Sequence, residues 1–420
     1  MNVETDLRTL VETELIKNKF KLSEGRKYFY PLAEPTYGVE EVMEAIDSMV
    51  TFKTSMWNKV RDFEEKFGKK YGGHAVMVNS GSSADLLISF ALLQKSGGLL
   101  QPGDEILVPA VTWPTHLWSL IMAGFRVRLI DVDLETLNFD LEILRDQITP
   151  LTKGVFIVHL LGDTGNLEGL VELCKEMNLV LLEDCCEALG TKYQGKYVGT
   201  FGLASSFSFF FSHHLVTMEG GMILTSSEEF ADRCRLLRAH GWTRNIYSKN
   251  EDSEKDFSKK YEFVNWGFNV RPTELQAGFG IKQLEKVEQF HEARKFNAEY
   301  LIKRIEKHHK YISTTIRNES VESSYFAFPI ILRSDAPFLR EEFTTFLKEG
   351  GVETRPIVAG NLARQPAMSN FPEISFGSLS NSNYIHQFGL YIGIHPEFDE
   401  AKIEKVANII DSFFEGRDSE

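Results

Sequence analysis

No stretch of this sequence is long and apolar enough to cross a membrane. The opening MNVETDLRTLVETELIK is charged throughout and lacks the apolar centre of a secretion signal. Positive charge is in deficit: 46 Lys and Arg face 60 Asp and Glu, a formal charge of −14, which argues against nucleic acid or an anionic membrane as the main partner. Cysteine is scarce. Cys174, Cys185, Cys186 and Cys234 form no CxxC pair and no zinc-type spacing, and the adjacent pair in an apolar run reads as buried thiols suited to a reducing cytoplasm. There is no internal repeat and no low-complexity tail. These absences leave a cytoplasmic enzyme or binding protein, in which an anionic small molecule would be met by local positive charge.

What is present reads as an α/β chain. The 420 residues exceed what one hydrophobic core ordinarily supports, so a large and a smaller domain are expected. Short apolar runs at Ala75–Val78, Glu105–Pro109, Val127–Asp131, Gly154–Leu160, Leu179–Glu183, Ser205–Phe209 and Gly221–Thr225 predict strands, with Phe207, Phe209 and Phe211 all buried. Amphipathic stretches at Ser82–Leu93, Asp140–Gln147, Leu167–Met177 and Glu228–His240 predict helices between them. Such alternation implies a mostly parallel central sheet with helices on both faces, with ligands gathering beyond the carboxyl ends of the strands.

Residues 245–262, NIYSKNEDSEKDFSKKYE, read as a solvated surface loop, with a flap over the site as the sharper alternative. Pro272–His309 reads as a long helical connection ending in the solvated pair His308-His309. Strands at Tyr325–Leu332 and Gly351–Pro356 and helices at Ala336–Glu349 and Glu400–Glu415 then form a smaller C-terminal α/β domain. The expected division is residues 1–285, including an N-terminal arm, and 286–420.

Four segments carry chemistry. Asn79-Ser80-Gly81-Ser82-Ser83-Ala84 links a strand to a helix, where small residues and a helix N-terminus make a phosphate cradle; a plain Ser-rich N-cap would look the same. Trp113, in Pro109-Ala110-Val111-Thr112-Trp113-Pro114-Thr115, follows a strand end and can stack on a flat heteroaromatic ring, or simply pack. Asp184 stands at the tip of an apolar strand, placed to pair with a protonated ring nitrogen, and Glu187 follows three residues later; both could instead cap a turn. Ser208 precedes His213-His214, which is closed by Met218-Glu219-Gly220-Gly221; an imidazole there can take and give protons near neutral pH.

In this order the motifs NSGSSA, VPAVTWPT, DVDLETLNFD, LLGDTGN, LEDCCEALG, SFSFFFSHH, MEGGM and GFNVRPTELQAGFG resemble the DegT-type sugar aminotransferases. These are fold-type I (aspartate aminotransferase-like) enzymes of pyridoxal 5'-phosphate (PLP), and the resemblance runs from about Tyr37 to the C-terminus. It implies that Gly81, Ser82, Ser83 and Ser208 hold the cofactor phosphate, that Trp113 stacks on the ring, and that Asp184 meets its nitrogen with Glu187 beside it. Asn269 matches an asparagine that reaches the phosphate from the neighbouring subunit, which implies a homodimer with shared active sites.

Two features are similar to one branch of that family. His213 stands where a lysine would link covalently to the cofactor, which an imidazole cannot do. Glu353-Thr354-Arg355-Pro356 and Gly360-Asn361-Leu362-Ala363-Arg364-Gln365-Pro366 resemble the GNxxRQP signature of nucleotide-hexose 3-dehydratases, with Arg355, Asn361 and Arg364 as candidates for gripping the sugar diphosphate. The iron–sulfur members of that branch need clustered cysteines before the segment that here reads GFN. After Cys234 there is none, so neither an iron–sulfur cluster nor another metal is expected. Phe211-Ser212 departs from the more familiar Pro-Ala or Pro-Gly before the histidine.

The branch implies removal of the C3 hydroxyl from a nucleotide-linked 4-keto-6-deoxyhexose, giving a 3,6-dideoxy-4-keto sugar. The aminated cofactor, pyridoxamine 5'-phosphate (PMP), would be the reagent, L-glutamate would regenerate it, and His213 would serve as acid and base. A lysine would recapture the cofactor aldehyde and favour an amino sugar; histidine leaves elimination as the easier exit. A nucleotide-sugar aminotransferase with an unusual base and a non-catalytic PLP-binding protein stay open as alternatives.

Overall fold

A computed structural model describes residues 3–93, 98–246, 257, 260–316, 318–415 and 417. The chain begins with α1 (Val3–Glu24), α2 (Val39–Val50) and α3 (Asn58–Tyr71). Then come β1 (His74–Val78), α4 (Gly81–Ala91), β2 (Glu105–Pro109), α5 (Thr115–Met122), β3 (Arg126–Ile130), α6 (Leu141–Asp146), β4 (Thr152–Val158), α7 (Leu167–Glu176) and β5 (Val180–Asp184). A short hairpin, β6 (Lys192–Tyr193) and β7 (Lys196–Tyr197), precedes β8 (Ala204–Ser208), β9 (Gly221–Thr225) and α8 (Glu228–Arg238). Helix α9 (Glu274–Ile305) leads to β10 (Ile312–Ser313), β11 (Val321–Glu322), β12 (Ala327–Leu332), α10 (Arg340–Glu349), β13 (Thr354–Arg355), β14 (Ser375–Phe376), α11 (Ser380–Phe388), β15 (Gly389–Gly393) and α12 (Glu400–Phe414).

The eight-stranded sheet has the order β1-β9-β8-β5-β4-β2-β3-β14. Only β9 runs against its neighbours, pairing antiparallel with β1 and β8, while the other pairs are parallel. Because β9 reverses between two strands of equal direction, the carboxyl ends of β1, β2, β4, β5 and β8 fall on one edge. Gly221, the first residue of β9, lies on that edge as well, paired with both Val78 and Ser208.

Alternate residues of each strand feed two cores. On one face Met77, Leu107, Val155, Leu181 and Phe207 pack with Phe63 and Phe67 of α3, Leu170 of α7 and Ala277 of α9. On the other, Val76, Val108, Phe156 and Leu182 pack with Leu87 of α4, Leu120 of α5 and Phe230 of α8. This is the expected sheet covered on both sides.

The four-stranded sheet β10-β12-β15-β13 is antiparallel and carries α10 and α12. Helix α9 starts with a capping box, Thr273 and Gln276 exchanging backbone bonds, and its two halves belong to different cores. Ala277 and Ile281 join the core under the large sheet, whereas Ala298, Leu301 and Ile305 join that of the small one. Two further segments connect the sheets: Tyr30 bridges Val352, and β14 returns to the edge of the large sheet beside β3.

Two expectations are corrected. Phe207 and Phe209 are buried, but Phe211 is 45% exposed, because β8 ends at Ser208 and the chain turns, with the His213 amide donating to the Phe210 carbonyl at 2.9 Å. The strand period therefore stops before Phe211. His308 is not solvated: it is buried, stacked on Phe414 with ring centroids 4.4 Å apart and bonded through Nε2 to Asp411 Oδ1 at 2.8 Å, whereas His309 is exposed. The last turn of α9 faces α12, so one histidine of the pair is drawn inward. Of the polar segment 245–262, residues 247–256, 258 and 259 lie outside the described residues.

A buried ion pair joins α3 to α8 beneath β1. Arg238 Nη1 donates to Glu64 Oε1 at 2.6 Å and to the Met77 carbonyl at 2.7 Å, and Glu64 also accepts from the Met77 amide at 2.7 Å. Both side chains are almost fully buried. Removing the cation takes away the charge that faces the buried Glu64 carboxylate at 2.6 Å, so Arg238→Met is expected to lower unfolding free energy by about 3–5 kcal/mol in urea titrations. A loss below about 1 kcal/mol would show that Glu64 finds solvent or another donor.

Candidate active site

The carboxyl edge of the large sheet collects the motifs that the sequence singled out. Ser80 caps α4, its hydroxyl accepting from the Ser83 amide at 3.1 Å, and Ser83 Oγ donates to Asn79 Oδ1 at 2.6 Å. Ser83 is thus engaged within the turn, and Ser82 carries the exposed hydroxyl. A Cβ on Gly81 would sit 2.7 Å from Ser208 Cβ and 3.1 Å from Cys186 Sγ, so the absence of a side chain is what lets the end of β8 approach the first turn of α4. Gly221 likewise lies against the backbone of Ser80 and Gly81. The result is a narrow cradle of small residues at a helix N-terminus, the arrangement that receives a phosphate.

Asp184 ends β5 and is nearly fully buried. Its Oδ1 accepts from the Cys186 amide at 2.9 Å and its Oδ2 lies 3.4 Å from His116 Nδ1. Burial opposes its charge, yet the His116 bond, the His116 charge and the Cys186 amide together hold this carboxyl below the usual range. The adjacent Glu183 points the other way and is structural. It accepts from the amides of Gly199, Phe201 and Gly202 at 2.6–2.8 Å and pairs with His159 at 3.0 Å.

Glu187 accepts from the Leu161 amide at 2.9 Å; burial, helped by the nearby Asp184 charge, pushes its carboxyl up to about 7.

His213 sits on the turn after β8, half-buried, with its ring edge-on to Phe326 at 5.2 Å. Its Nδ1 is buried without a hydrogen-bond partner. Burial lowers its proton affinity to about 4, Arg294 adds to this, and Asp184 opposes it. Arg294 is held beneath, its Nη1 donating to the carbonyls of Tyr325, Phe326 and Ile394. A neutral imidazole at physiological pH is a proton acceptor. His214 is turned away, its Nε2 bonded to the Ser324 carbonyl at 3.0 Å.

The other expected residues are distributed as follows. Trp113 is 55% exposed on the segment between β2 and α5. Asn269 is exposed, accepts from Arg271 Nε at 2.9 Å, and lies beside the cradle, since the next residue, Val270, receives the Asn79 amide at 3.1 Å. Segment 359–366 docks on the end of β2: Asn361 bridges Val111, and the Leu362 amide donates to the Ala110 carbonyl at 2.8 Å. Arg364 on it is exposed. The Asn361 side chain is buried and committed to Ala363 and Asn383, at 2.9 and 3.1 Å, so it shapes the loop. Arg355 is exposed and paired with Glu353 at 2.8 Å.

Sequence reasoning missed His116 and Asp85. Asp85, on α4, is fully buried, and an oxygen of it, an oxygen of Asp184 and a nitrogen of His116 lie within 4.8 Å of one another. The available signal was a carboxylate on the otherwise apolar helix ADLLISFA.

A glycine cradle at a helix N-terminus, a carboxylate held below its usual range at the tip of β5 and the unpartnered buried Nδ1 of His213 fit the phosphate, ring nitrogen and reacting end of a pyridoxal-type cofactor. Fold and site together define a fold-type I enzyme of the PLP class. Residues 36–411 match the DegT/DnrJ/EryC1/StrS aminotransferase family, and the chain belongs to it.

Among its relatives is the GDP-4-keto-6-deoxy-D-mannose 3-dehydratase of Escherichia coli O55:H7, 40% identical over 380 residues, or 88% of this chain and 97% of that protein. The enzyme of the same description from Yersinia pseudotuberculosis is 39% identical over 91% of this chain and 98% of its own. The solved E. coli GDP-4-keto-6-deoxy-D-mannose-3-dehydratase with bound hydrated PLP superposes with a TM-score of 0.86 at 36% identity, covering 91% of this chain and 99% of that one.

The depressed proton affinity of His213 has a measurable consequence. Between its ordinary value of 6.5 and about 4 the unfolded chain binds a proton that the folded chain refuses, so folding stability falls as pH drops through this window. His214 and His291 are lowered by burial too and add slopes of the same sign. His213→Asn is expected to flatten the dependence without abolishing it, as read from urea midpoints of cofactor-free protein between about pH 7 and 4. An unchanged slope would show that the ring is already solvated.

Proposed function

We propose that this protein removes the C3 hydroxyl of a nucleotide-linked 4-keto-6-deoxyhexose, GDP-4-keto-6-deoxymannose being the first candidate, to give a 3,6-dideoxy-4-keto sugar. PMP is the working cofactor and L-glutamate restores it. The observation that carries this reading is His213: a neutral imidazole stands where the family carries a lysine, in a site otherwise suited to the cofactor. Relatives described as 3-dehydratases support it, as do neighbouring structures described as holding GDP-perosamine and a PLP-glutamate geminal diamine.

In this reading Gly81 and Ser82 with Ser208 receive the phosphate, Trp113 covers the ring, Asp184 faces its nitrogen, and Glu187 lies alongside. When bound, the coenzyme supplies an electron sink that lets the C3–O bond of the sugar break. His213, neutral, would accept at an imidazole nitrogen the proton released from the exocyclic C4′ carbon of the aminated cofactor. Asp184 then favours the imidazolium, which gives the proton to the departing C3 oxygen. With no amine there to recapture the aldehyde, elimination prevails over formation of an amino sugar. Arg355 and Arg364 are the charged groups offered to the diphosphate, and Asn361 holds the loop that carries Arg364 against β2. The transamination alternative rests on family membership alone.

The same reading makes the protein a cytoplasmic homodimer in which Asn269 reaches the partner's cofactor phosphate. Exposed Phe210, Phe211, Met218 and Trp266 near the site edge support a covered surface there. Sedimentation as a monomer at micromolar concentration would remove the dimer.

Incubation with PMP, glutamate and the GDP-linked keto sugar is expected to yield a product lighter by the C3 oxygen together with ammonia, and borohydride should leave no cofactor on the protein. An amino-sugar product or a borohydride-trapped lysine would establish transamination instead. His213→Asn should keep cofactor affinity within about threefold and lower turnover by at least about a thousandfold. Retained turnover would refute the assignment of His213.

A further inference from the structure

We propose that Asp85 and Asp184 hold one proton between them in the cofactor-free protein, and that Asp85 gives it up to solvent when the protonated ring nitrogen of the cofactor docks against Asp184. The inference rests on the functional reading above and concerns a residue outside it.

Asp85 projects from α4 into the gap beneath the strand tips and is fully buried. Thr115 Oγ1 donates to its Oδ2 at 2.8 Å, while its Oδ1 has no hydrogen-bond partner. The titratable groups bearing on it are Asp184 at the end of β5, His116 on α5 and Cys186 just after β5, with the uncharged Ser206 hydroxyl coming from β8. Asp184 already takes the His116 nitrogen and the Cys186 amide for its own charge. Asp85 has no such donors beyond hydroxyls. Two carboxylates this close in a dry space cannot both ionise, so the pair keeps a single proton, and the better-solvated charge falls to Asp184. The directions agree: burial and then the Asp184 charge drive the Asp85 carboxyl well above its ordinary range, while Asp184 itself lies below.

Docking of a ring nitrogen at Asp184 changes this balance. A positive charge on that nitrogen offsets the field that kept Asp85 neutral. The ring nitrogen arrives already protonated near neutral pH, so the Asp85 O–H bond breaks, its proton passes to solvent, and a carboxylate is left to balance the ring cation. Asp85 is a positioning residue in this account, acting through Asp184 to set where the proton resides.

The test counts protons. PLP is titrated into cofactor-free wild type and Asp85→Asn at about pH 7.5 in buffers of differing ionisation enthalpy. The amide keeps the acceptor for Thr115 but carries no proton to give. Wild type should release about one proton more, or take up about one fewer, than the variant, with affinities within about tenfold. Phosphate titration is common to both proteins and cancels. Equal proton counts would overturn the inference, as would a folded variant that cannot bind. If Asp85→Asn fails to fold, infrared difference spectra of wild type decide: cofactor binding should bleach the carbonyl stretch of a protonated carboxyl group, and its persistence would overturn the assignment. Failure of wild type to bind PLP would remove the functional reading, and this inference with it; binding with equal proton counts would remove only the role of Asp85.

Discussion

The charge on Asp184 is the constraint around which this sheet edge is arranged. A carboxylate with so little solvent stays ionised only where donors reach it, and here the Cys186 amide and His116 do so. Burial first and then the Asp184 field push the carboxyls of Asp85 and Glu187 toward their neutral forms, while at His213 the same field only partly offsets the burial that keeps the ring neutral. Separated proton affinities within one small volume are what acid and base chemistry at neutral pH requires.

The second constraint is topological. Strand β9 runs against its neighbours, so its first residue lies among the carboxyl ends of the parallel strands and abuts the first turn of α4. Glycine at positions 81 and 221 permits that contact. The cradle, the charged strand tip and the histidine turn therefore arise from the ends of β1, β5 and β8, elements fixed by two packed cores. Asp85 Oδ1 and His213 Nδ1 are among the buried polar atoms without partners, and both lie at this edge.

Replacing an amine by an imidazole changes what the turn after β8 can do. A lysine there is long, flexible and able to bond covalently. His213 is short, pressed edge-on to Phe326 and kept neutral by burial and Arg294. An imidazole can carry protons but cannot form the covalent tether a lysine makes, so on the proposed reading the cofactor would be held by phosphate, ring and nitrogen contacts.

Local pattern made much of this protein legible. The strand runs, the Ser-rich turn, the acid at a strand tip and the substitution at 213 are short-range signals, because helix and strand periods and turn residues act over a few positions. Phe211 and His308 were misread for the same reason: period and pairing say nothing about where a strand stops or which helix lies opposite. Asp85 went unread because a carboxylate on a helix acquires meaning only from what faces it. The sequence alone determined the family and the parallel sheet, and it put a histidine at 213 where the resemblance implies a lysine. Tertiary structure alone decided that Asp85, His116 and Asp184 share one dry space and that Asn361 is buried, since proton affinity depends on neighbours brought together by folding across distant parts of the chain.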